Sequence, residues 1–280
     1  MKDMFAILSN FFQTHGIGLY APIPLSACRV QRPYLLAREE IGEDGTAILF
    51  AVPYYTPACD RPRRNVSAYA VARDYHGYFS SLFEEILPVL RAAFPEETFA
   101  GYADHAPIDE VDAAARAGLG VRGENGLLIT EEYSSFVFLG ALYTSAALPA
   151  SAGEIRKCEG CGACKRVCPA VQGAPCLSAL TQKKGELSEE EQALLRTHGT
   201  VWGCDLCQDA CPHTVRARRA GTLYTKIPYF YEQPLPSLSS ERIESMTEEE
   251  FSARAYAWRR RETVARNLAV IEKGESSCRD

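Results

Sequence analysis

Four cysteines, Cys158, Cys161, Cys164 and Cys168, follow one another as C-x2-C-x2-C-x3-C, and Pro169 closes the run. Iron-sulfur clusters are held by thiolates at this spacing. A second run is looser: Cys176 stands alone, then Cys204, Cys207 and Cys211 follow at x2 and x3 and are closed by Pro212. Eight of the 11 cysteines therefore lie between Cys158 and Cys211, enough thiolates for two four-iron clusters. In paired runs of this kind the last cysteine ligates the other cluster, because a short turn wraps three thiolates around one cube without closing its fourth corner. The assignment is Cys158, Cys161, Cys164 and Cys211 to one cluster, and Cys168, Cys176, Cys204 and Cys207 to the other. Zinc and disulfides are the competing explanations. Zinc knuckles are usually paired C-x2-C units at longer separations, often with His, and explain poorly two tight runs ending in Cys-Pro. Disulfides need an oxidising compartment, for which nothing in the sequence argues. Cys28, Cys59 and Cys278 have no cysteine at ligand spacing and read as plain thiols.

Clusters alone relay electrons and would not require the long segment that precedes them, so the front of the chain is expected to house the chemistry. Its candidate groups are Asp74, Tyr75 and His76 at the start of a helix, and Asp104 with His105 just past a strand. A carboxylic acid beyond a strand end can give a proton to a bound substrate, provided burial raises its pKa. The residues alone equally allow Asp104 to cap a turn and His76 to sit on a helix surface.

The elements that must position these groups can be read from apolar spacing. Helices are expected at Met4 to Phe12, Tyr34 to Glu39, Tyr75 to Ala93 with Pro88 as a possible kink, and Glu110 to Ala117 with Asp109 as N-cap and Gly118 after its end. Strands are expected at Ile17 to Pro24, Ala47 to Val52, Thr98 to Ala103, Gly126 to Ile129 and Ser135 to Tyr143. The continuous apolar run Ala47 to Val52 predicts a central strand buried on both faces. It delivers Tyr54 and Tyr55 to a loop where ligands often bind. Thr247 to Glu272 predicts one or two helices, with Met246 and Trp258 among the buried residues. The fold class is α/β (α+β), in three parts: residues 1–148 as the catalytic domain, 149–220 as a ferredoxin-like two-cluster domain, and 221–280 as a partly helical tail.

The chain has 280 residues, is 46% hydrophobic and carries a formal net charge of -6. Such a chain can bury a full core. Its start lacks the features of a signal peptide, and no apolar run approaches a membrane span. With cysteines arranged for iron, a cytoplasmic, non-membrane protein is expected. The negative balance gives no global attraction to nucleic acid, so contacts would fall to local patches: Arg61, Arg63 and Arg64; Arg216, Arg218 and Arg219; or Arg259, Arg260 and Arg261.

The strings AYAVARDYH (Ala68 to His76), ADHAPIDEVDAAARAGLGVRGENGLLI (Ala103 to Ile129), SFVFLGALYT, CLSALTQKKGEL and WGCDLCQDACPH occur in this order together with the cysteine runs. Together they resemble the epoxyqueuosine reductase family, from about Ala47 to Arg219. The resemblance implies a cobalamin-dependent oxidoreductase with two 4Fe-4S clusters, which removes the epoxide oxygen from epoxyqueuosine at the tRNA wobble position in the last step of queuosine biosynthesis. It implies an N-terminal cobalamin-type domain similar to that of reductive dehalogenases. It makes Asp104 the proton donor, and makes Asp74, Tyr75 and His76 lining residues of the active site. The segment Ala117 to Asn125, with Gly118, Gly120, Gly123 and Asn125, resembles a part of the family's pocket near the corrin, which Tyr75 would also line.

Three departures stand out. Glu124 occupies a position where the family usually has Lys, which replaces a cation with an anion. The usual D-T-G has become Asp104-His105-Ala106. Arg260 to Asn267 resembles the entry to the helical repeats with which the family helps to grip tRNA. The implied partners are queuosine-type tRNA and an electron donor such as ferredoxin or flavodoxin, and a monomer is the working expectation. The alternatives are a dehalogenase-like reductase of a small molecule, and a non-enzymatic electron carrier or corrinoid-protein reactivator.

Overall fold

The computed structural model describes residues 3–276, so Cys278 lies outside the described residues. The chain divides into two compact units, each assembled from three segments: 1–54, 76–161 and 216–227 form the first, and 55–75, 162–215 and 228–280 the second.

The first unit is built on one four-stranded sheet. Its elements in chain order are α1 (Met4–Thr14), β1 (Leu19–Pro24), α2 (Pro33–Arg38), β2 (Thr46–Pro53), α3 (Tyr75–Ala93), β3 (Phe99–Ala103), α4 (Glu110–Arg116), β4 (Val121–Arg122), β5 (Leu128–Ile129) and β6 (Val137–Thr144). The strand order is β1-β2-β6-β3, and every pairing is antiparallel. Strands and helices alternate along the chain, yet the sheet they build is wholly antiparallel. Every residue of β2 is buried, as its unbroken apolar run requires. Successive side chains point to opposite faces. Ala47 and Leu49 pack with Ala141 and Tyr143 of β6 and Ala113, Ala114 and Ala115 of α4. Phe50 faces the other way, with its ring 5.1 Å from Phe12 and 5.7 Å from Phe79.

Gly140 is paired with Phe50 in this sheet. A Cβ there would lie 2.4 Å from Phe79 and 2.8 Å from Phe50, and both rings are buried. Gly140→Ala is expected to cost about 1–3 kcal/mol by overpacking, as measured by denaturant unfolding.

β2 and β3 each pair with β6, so both end on the same side of the sheet, where Pro53 is opposite Val137 and Ala103 opposite Gly140. Tyr54, just past β2, is packed and not exposed in its loop. It is 6% exposed and stacks 4.2 Å from Phe138. Tyr55 is also buried, with its hydroxyl donating to Asp60 at 2.8 Å. Aromatic bodies of this size bury readily once the hydroxyl has a partner.

The second unit is helical. It contains α5 (Ala163–Val167), α6 (Leu177–Thr181), α7 (Glu189–His198) and α8 (Leu206–Asp209). After these come α9 (Pro212–Ala220), which runs across the division between units, and then α10 (Ser240–Ser245), α11 (Glu248–Ser252) and α12 (Arg261–Ser276). Leu177, Leu180, Leu187 and Leu195 form its small core, with Val270 and Ile271 packed against them. The fully buried Asn267 ties α12 down by donating to Thr181 O at 2.8 Å and Val201 O at 2.9 Å. Met246 is buried as expected, but Trp258 is 60% exposed: it meets the buried Trp202 edge-on at 6.4 Å, and the Arg259 guanidinium lies 3.9 Å over its ring. Among the described residues no helix is long and apolar enough to cross a membrane.

Candidate functional site

None of the eight run cysteines is joined in a disulfide. Cys158 and Cys161 belong to the first unit, and the other six to the second. Cys164 lies on α5 and Cys207 on α8, which pack together. Cys204 is pushed up to about 11, first by burial and then by Asp205, Cys176 and Cys168 against a backbone hydrogen bond from Leu206. Cys168 and Cys176, assigned to the same cluster, therefore both lie within electrostatic reach of Cys204. Neighbouring thiolates repel unless a cationic group lies among them, and soft thiolate donors suit iron-sulfur clusters, so this donor set fits. Among the described residues no three His, Cys, Asp or Glu side chains gather closely enough to hold a single metal ion.

A carboxylate network holds the second run in place. Asp205, between Cys204 and Cys207, has a side chain 2% exposed and pairs with Arg64. It also accepts from Ser67 Oγ at 2.5 Å, Ala68 N at 2.6 Å and Gln208 Nε2 at 3.0 Å. Burial lowers the Arg64 pKa, but Asp205 and Asp209 outweigh it and the net shift is upward. Arg64 is therefore not a phosphate contact: its side chain is 15% exposed and engaged in this network. Arg61 and Arg63 remain exposed, as does Arg216, 4.0 Å from Glu159.

In the first unit the end of β3 and the first turn of α3 bring Asp104 and His76 together, with Oδ2 3.7 Å from Nε2. Asp104 has φ 67, a conformation non-glycine residues adopt rarely, and such outliers cluster at functional positions. The burial expected of Asp104 is absent, because its side chain is 67% exposed and that of His76 53%. His105 turns away, with Nε2 3.1 Å from the Tyr34 hydroxyl. Asp74 and Tyr75 fall in the second unit. There the Asp74 amide donates to Ala253 O at 2.9 Å, and its carbonyl accepts from the Tyr229 hydroxyl at 2.6 Å.

The segment Ala117 to Asn125 forms the end of α4 and strand β4, which pairs with β5. A Cβ on Gly120 would lie 2.4 Å from Ile129 O, and one on Gly123 2.4 Å from Asn125 Oδ1. Smallness at both is thus required by the hairpin itself. Gly118 follows α4 with φ +84 and nothing within 4 Å of a Cβ, and Glu124 is exposed. Beside β4 runs the lead-in to the first cysteine: Arg122 N donates to Arg156 O at 2.8 Å and Cys158 N to Arg122 O at 3.0 Å. Sequence reading did not couple this segment to Cys158, since nothing local signals a bridge between residues so far apart. It also passed over Glu110, whose sole signal was an acid set among Ala106, Ile108 and the alanines of α4.

The chain is 32% identical over 218 residues to epoxyqueuosine reductase of Gloeobacter violaceus, a match covering 74% of this chain and 68% of that protein. The chain belongs to the epoxyqueuosine reductase family. It is an oxidoreductase of that family. The relative from Atelocyanobacterium thalassa is 31% identical over 237 residues, 77% of this chain and 76% of its own. For the Escherichia coli relative the figures are 31% over 195 residues, 66% and 50%. Among models of protein families, none matches the chain. The fold is that of the Streptococcus thermophilus epoxyqueuosine reductase structure, at TM-score 0.77 and 20% identity over 98% of this chain and 82% of that one. It is shared by an epoxyqueuosine reductase solved with an epoxyqueuosine-modified tRNA-Tyr stem loop, at TM-score 0.73 and 19% identity over 95% and 80%.

Proposed function

We propose that this chain reduces the epoxide of epoxyqueuosine in tRNA to the alkene of queuosine, with Asp104 as the proton donor. The observation that carries this reading is the open Asp104–His76 pair, held by a left-handed backbone at the end of β3, in a chain of this family. Removing the oxygen as water takes two electrons and two protons. When bound, two four-iron clusters supply single electrons and cobalamin supplies a strongly reducing cobalt centre. The remaining work falls to the chain's own residues.

Cys158, Cys161, Cys164 and Cys211 hold one cluster, and Cys168, Cys176, Cys204 and Cys207 the other, in a ferredoxin-like domain of residues 149–220. The cobalamin-type domain is residues 1–148, and 221–280 form the tail. Gly118 to Asn125 would line the cobalamin pocket, and the hydrogen bond from Cys158 N to Arg122 O joins the segment to the first cluster ligand. Asp104 gives its proton to the departing oxygen, and His76 faces its carboxyl. Asp74 and Tyr75 line the site. The modified base must leave its stack to enter, and Arg61, Arg63, Arg216 and Arg219 are the phosphate contacts. Ferredoxin or flavodoxin is the donor, in a reducing cytoplasm.

The test is anaerobic reconstitution with iron, sulfide and cobalamin. About eight irons per chain are expected, the sum of two cubes. An epoxyqueuosine-bearing anticodon stem loop should then lose one oxygen by mass. Tightly bound zinc without iron-sulfide absorbance would overturn the cluster assignment, and unchanged stem loop with both cofactors loaded would overturn the activity.

A further inference from the structure

Asp104 sits at the centre of a three-residue turn: the His105 amide donates to Ala103 O at 2.8 Å, and Asp104 between them has φ 67. The form of this turn with a positive central φ is the rare and strained one. Such a conformation persists only where the surrounding structure over-determines it. Packing does little to aim a side chain that is 67% exposed, so the frame on either side of the turn matters most.

Before the turn, Ala103 is paired with Gly140 of β6. After it, residues 105–109 run along residues 29–34, the segment that leads into α2. The Arg32 guanidinium donates from Nη1 to Ala106 O at 2.8 Å. The Pro107 carbonyl accepts from Gln31 N at 2.8 Å and Arg32 N at 2.9 Å, and Asp109 N donates to Arg29 O at 2.9 Å. Val30 and Ile108 form an antiparallel bridge. The Tyr34 hydroxyl lies 3.1 Å from His105 Nε2. The sequence prepares both segments for this pairing, since Arg32 and Ala106 each precede a proline, which keeps them extended. Two side chains, those of Arg32 and Tyr34, thus reach the two residues that follow Asp104.

We propose that Arg32 is a positioning residue: by tethering Ala106 it holds the strained turn that aims Asp104 at the substrate and keeps it beside His76. Tyr34 adds a second tether at His105. This rests on Asp104 being the acid of the proposed reaction. Arg32 also brings a charge to this corner. Burial first, and then Asp104, push the carboxyl of Glu110 at the start of α4 up to about 8, with Arg32 opposing and Asp109 adding. Tether and charge are separable by experiment.

The first measurement is hydrogen exchange of the cofactor-loaded protein, read by mass spectrometry on peptides covering 29–34 and 104–109. Arg32→Met keeps the stem of the side chain and loses its donors. Both peptides should then exchange roughly tenfold faster, as expected for one lost hydrogen bond. Peptides of β2 should keep wild-type protection, because a local opening leaves the buried sheet closed.

The second measurement is turnover of the epoxyqueuosine-bearing stem loop. Arg32→Met should lower kcat by roughly 100-fold, the scale of an about 1 Å misplacement of a reacting group, with KM little changed. Arg32→Lys keeps the charge and one donor, and should recover most of the loss, since the tether is a single hydrogen bond. Tyr34 is 60% exposed, so Tyr34→Phe leaves the fold intact and tests the second tether alone; roughly threefold lower kcat is expected. In the Asp104→Asn background Arg32→Met should add little, because no proton is left to aim.

Lost turnover with unchanged exchange in both peptides is a charge effect and overturns the tether. Wild-type kcat in Arg32→Met overturns it too, and so does a full further loss in the Asp104→Asn background; in either case an inactive Asp104→Asn leaves the acid standing. If Asp104→Asn itself keeps its turnover, the acid falls and the positioning role with it.

Discussion

Asp104→Asn is expected to lower turnover of epoxyqueuosine tRNA by about 100-fold to 10,000-fold, the range that general acid catalysis supplies. Asn keeps the size of the side chain and most of its hydrogen bonding but has no proton to give at neutral pH. The side chain is exposed, with His76 Nε2 3.7 Å away, so the substitution removes no buried charge and should leave stability nearly unchanged. The φ of 67 at this position costs Asn no more than Asp, since both tolerate the left-handed region. Iron content and bound cobalamin should match the wild type. Turnover above about a third of wild type would assign the acid elsewhere, with His76 the next group to change.

The chemistry-bearing parts of this chain were legible in different degrees for physical reasons. The cysteine runs were legible because cluster ligands obey local spacing, whatever the rest of the fold does. β2 and α3 were legible because a six-residue apolar run bounded by Gly45 and Pro53 and a long helical repeat are both strong local patterns. The sheet around them was not. Its order, with β6 inserted between β2 and β3, depends on pairings that no local pattern encodes. Tyr54 and Arg64 show the same limit at single residues. Each lies in a Pro- and Arg-rich stretch that reads as an exposed loop, yet Tyr54 is packed on Phe138 and Arg64 is engaged with Asp205. Partners 84 and 141 residues away decided both, and composition carries no trace of them. Asp104 failed in the opposite direction. The acid was found, but the burial its role appeared to need is absent, since two thirds of its side chain is open.

The largest structural loss is expected at Asp205. Asp205→Asn removes the carboxylate on which Arg64, Ser67 Oγ, Ala68 N and Gln208 Nε2 converge. It leaves the buried Arg64 guanidinium with the Val66 carbonyl at 2.9 Å and, as its remaining carboxylate, Asp209 at 3.3 Å and more exposed to solvent. The new amide also turns an N–H group toward one of those donors, and two donors cannot satisfy each other. Breaking a buried ion pair from one side costs about 3–5 kcal/mol, against roughly 0–1 kcal/mol for an exposed pair such as Arg216 with Glu159. Because Asp205 lies between Cys204 and Cys207, the loss should appear twice: as a lower denaturant midpoint in the cluster-free protein, and as fewer irons after reconstitution. A double-mutant cycle separates the pair from its surroundings. Arg64→Met combined with Asp205→Asn should cost less than the sum of the two single changes, since removing both charges leaves neither buried alone. Additivity within about 0.5 kcal/mol would mean that the network fills space around the second run without holding it in place by charge.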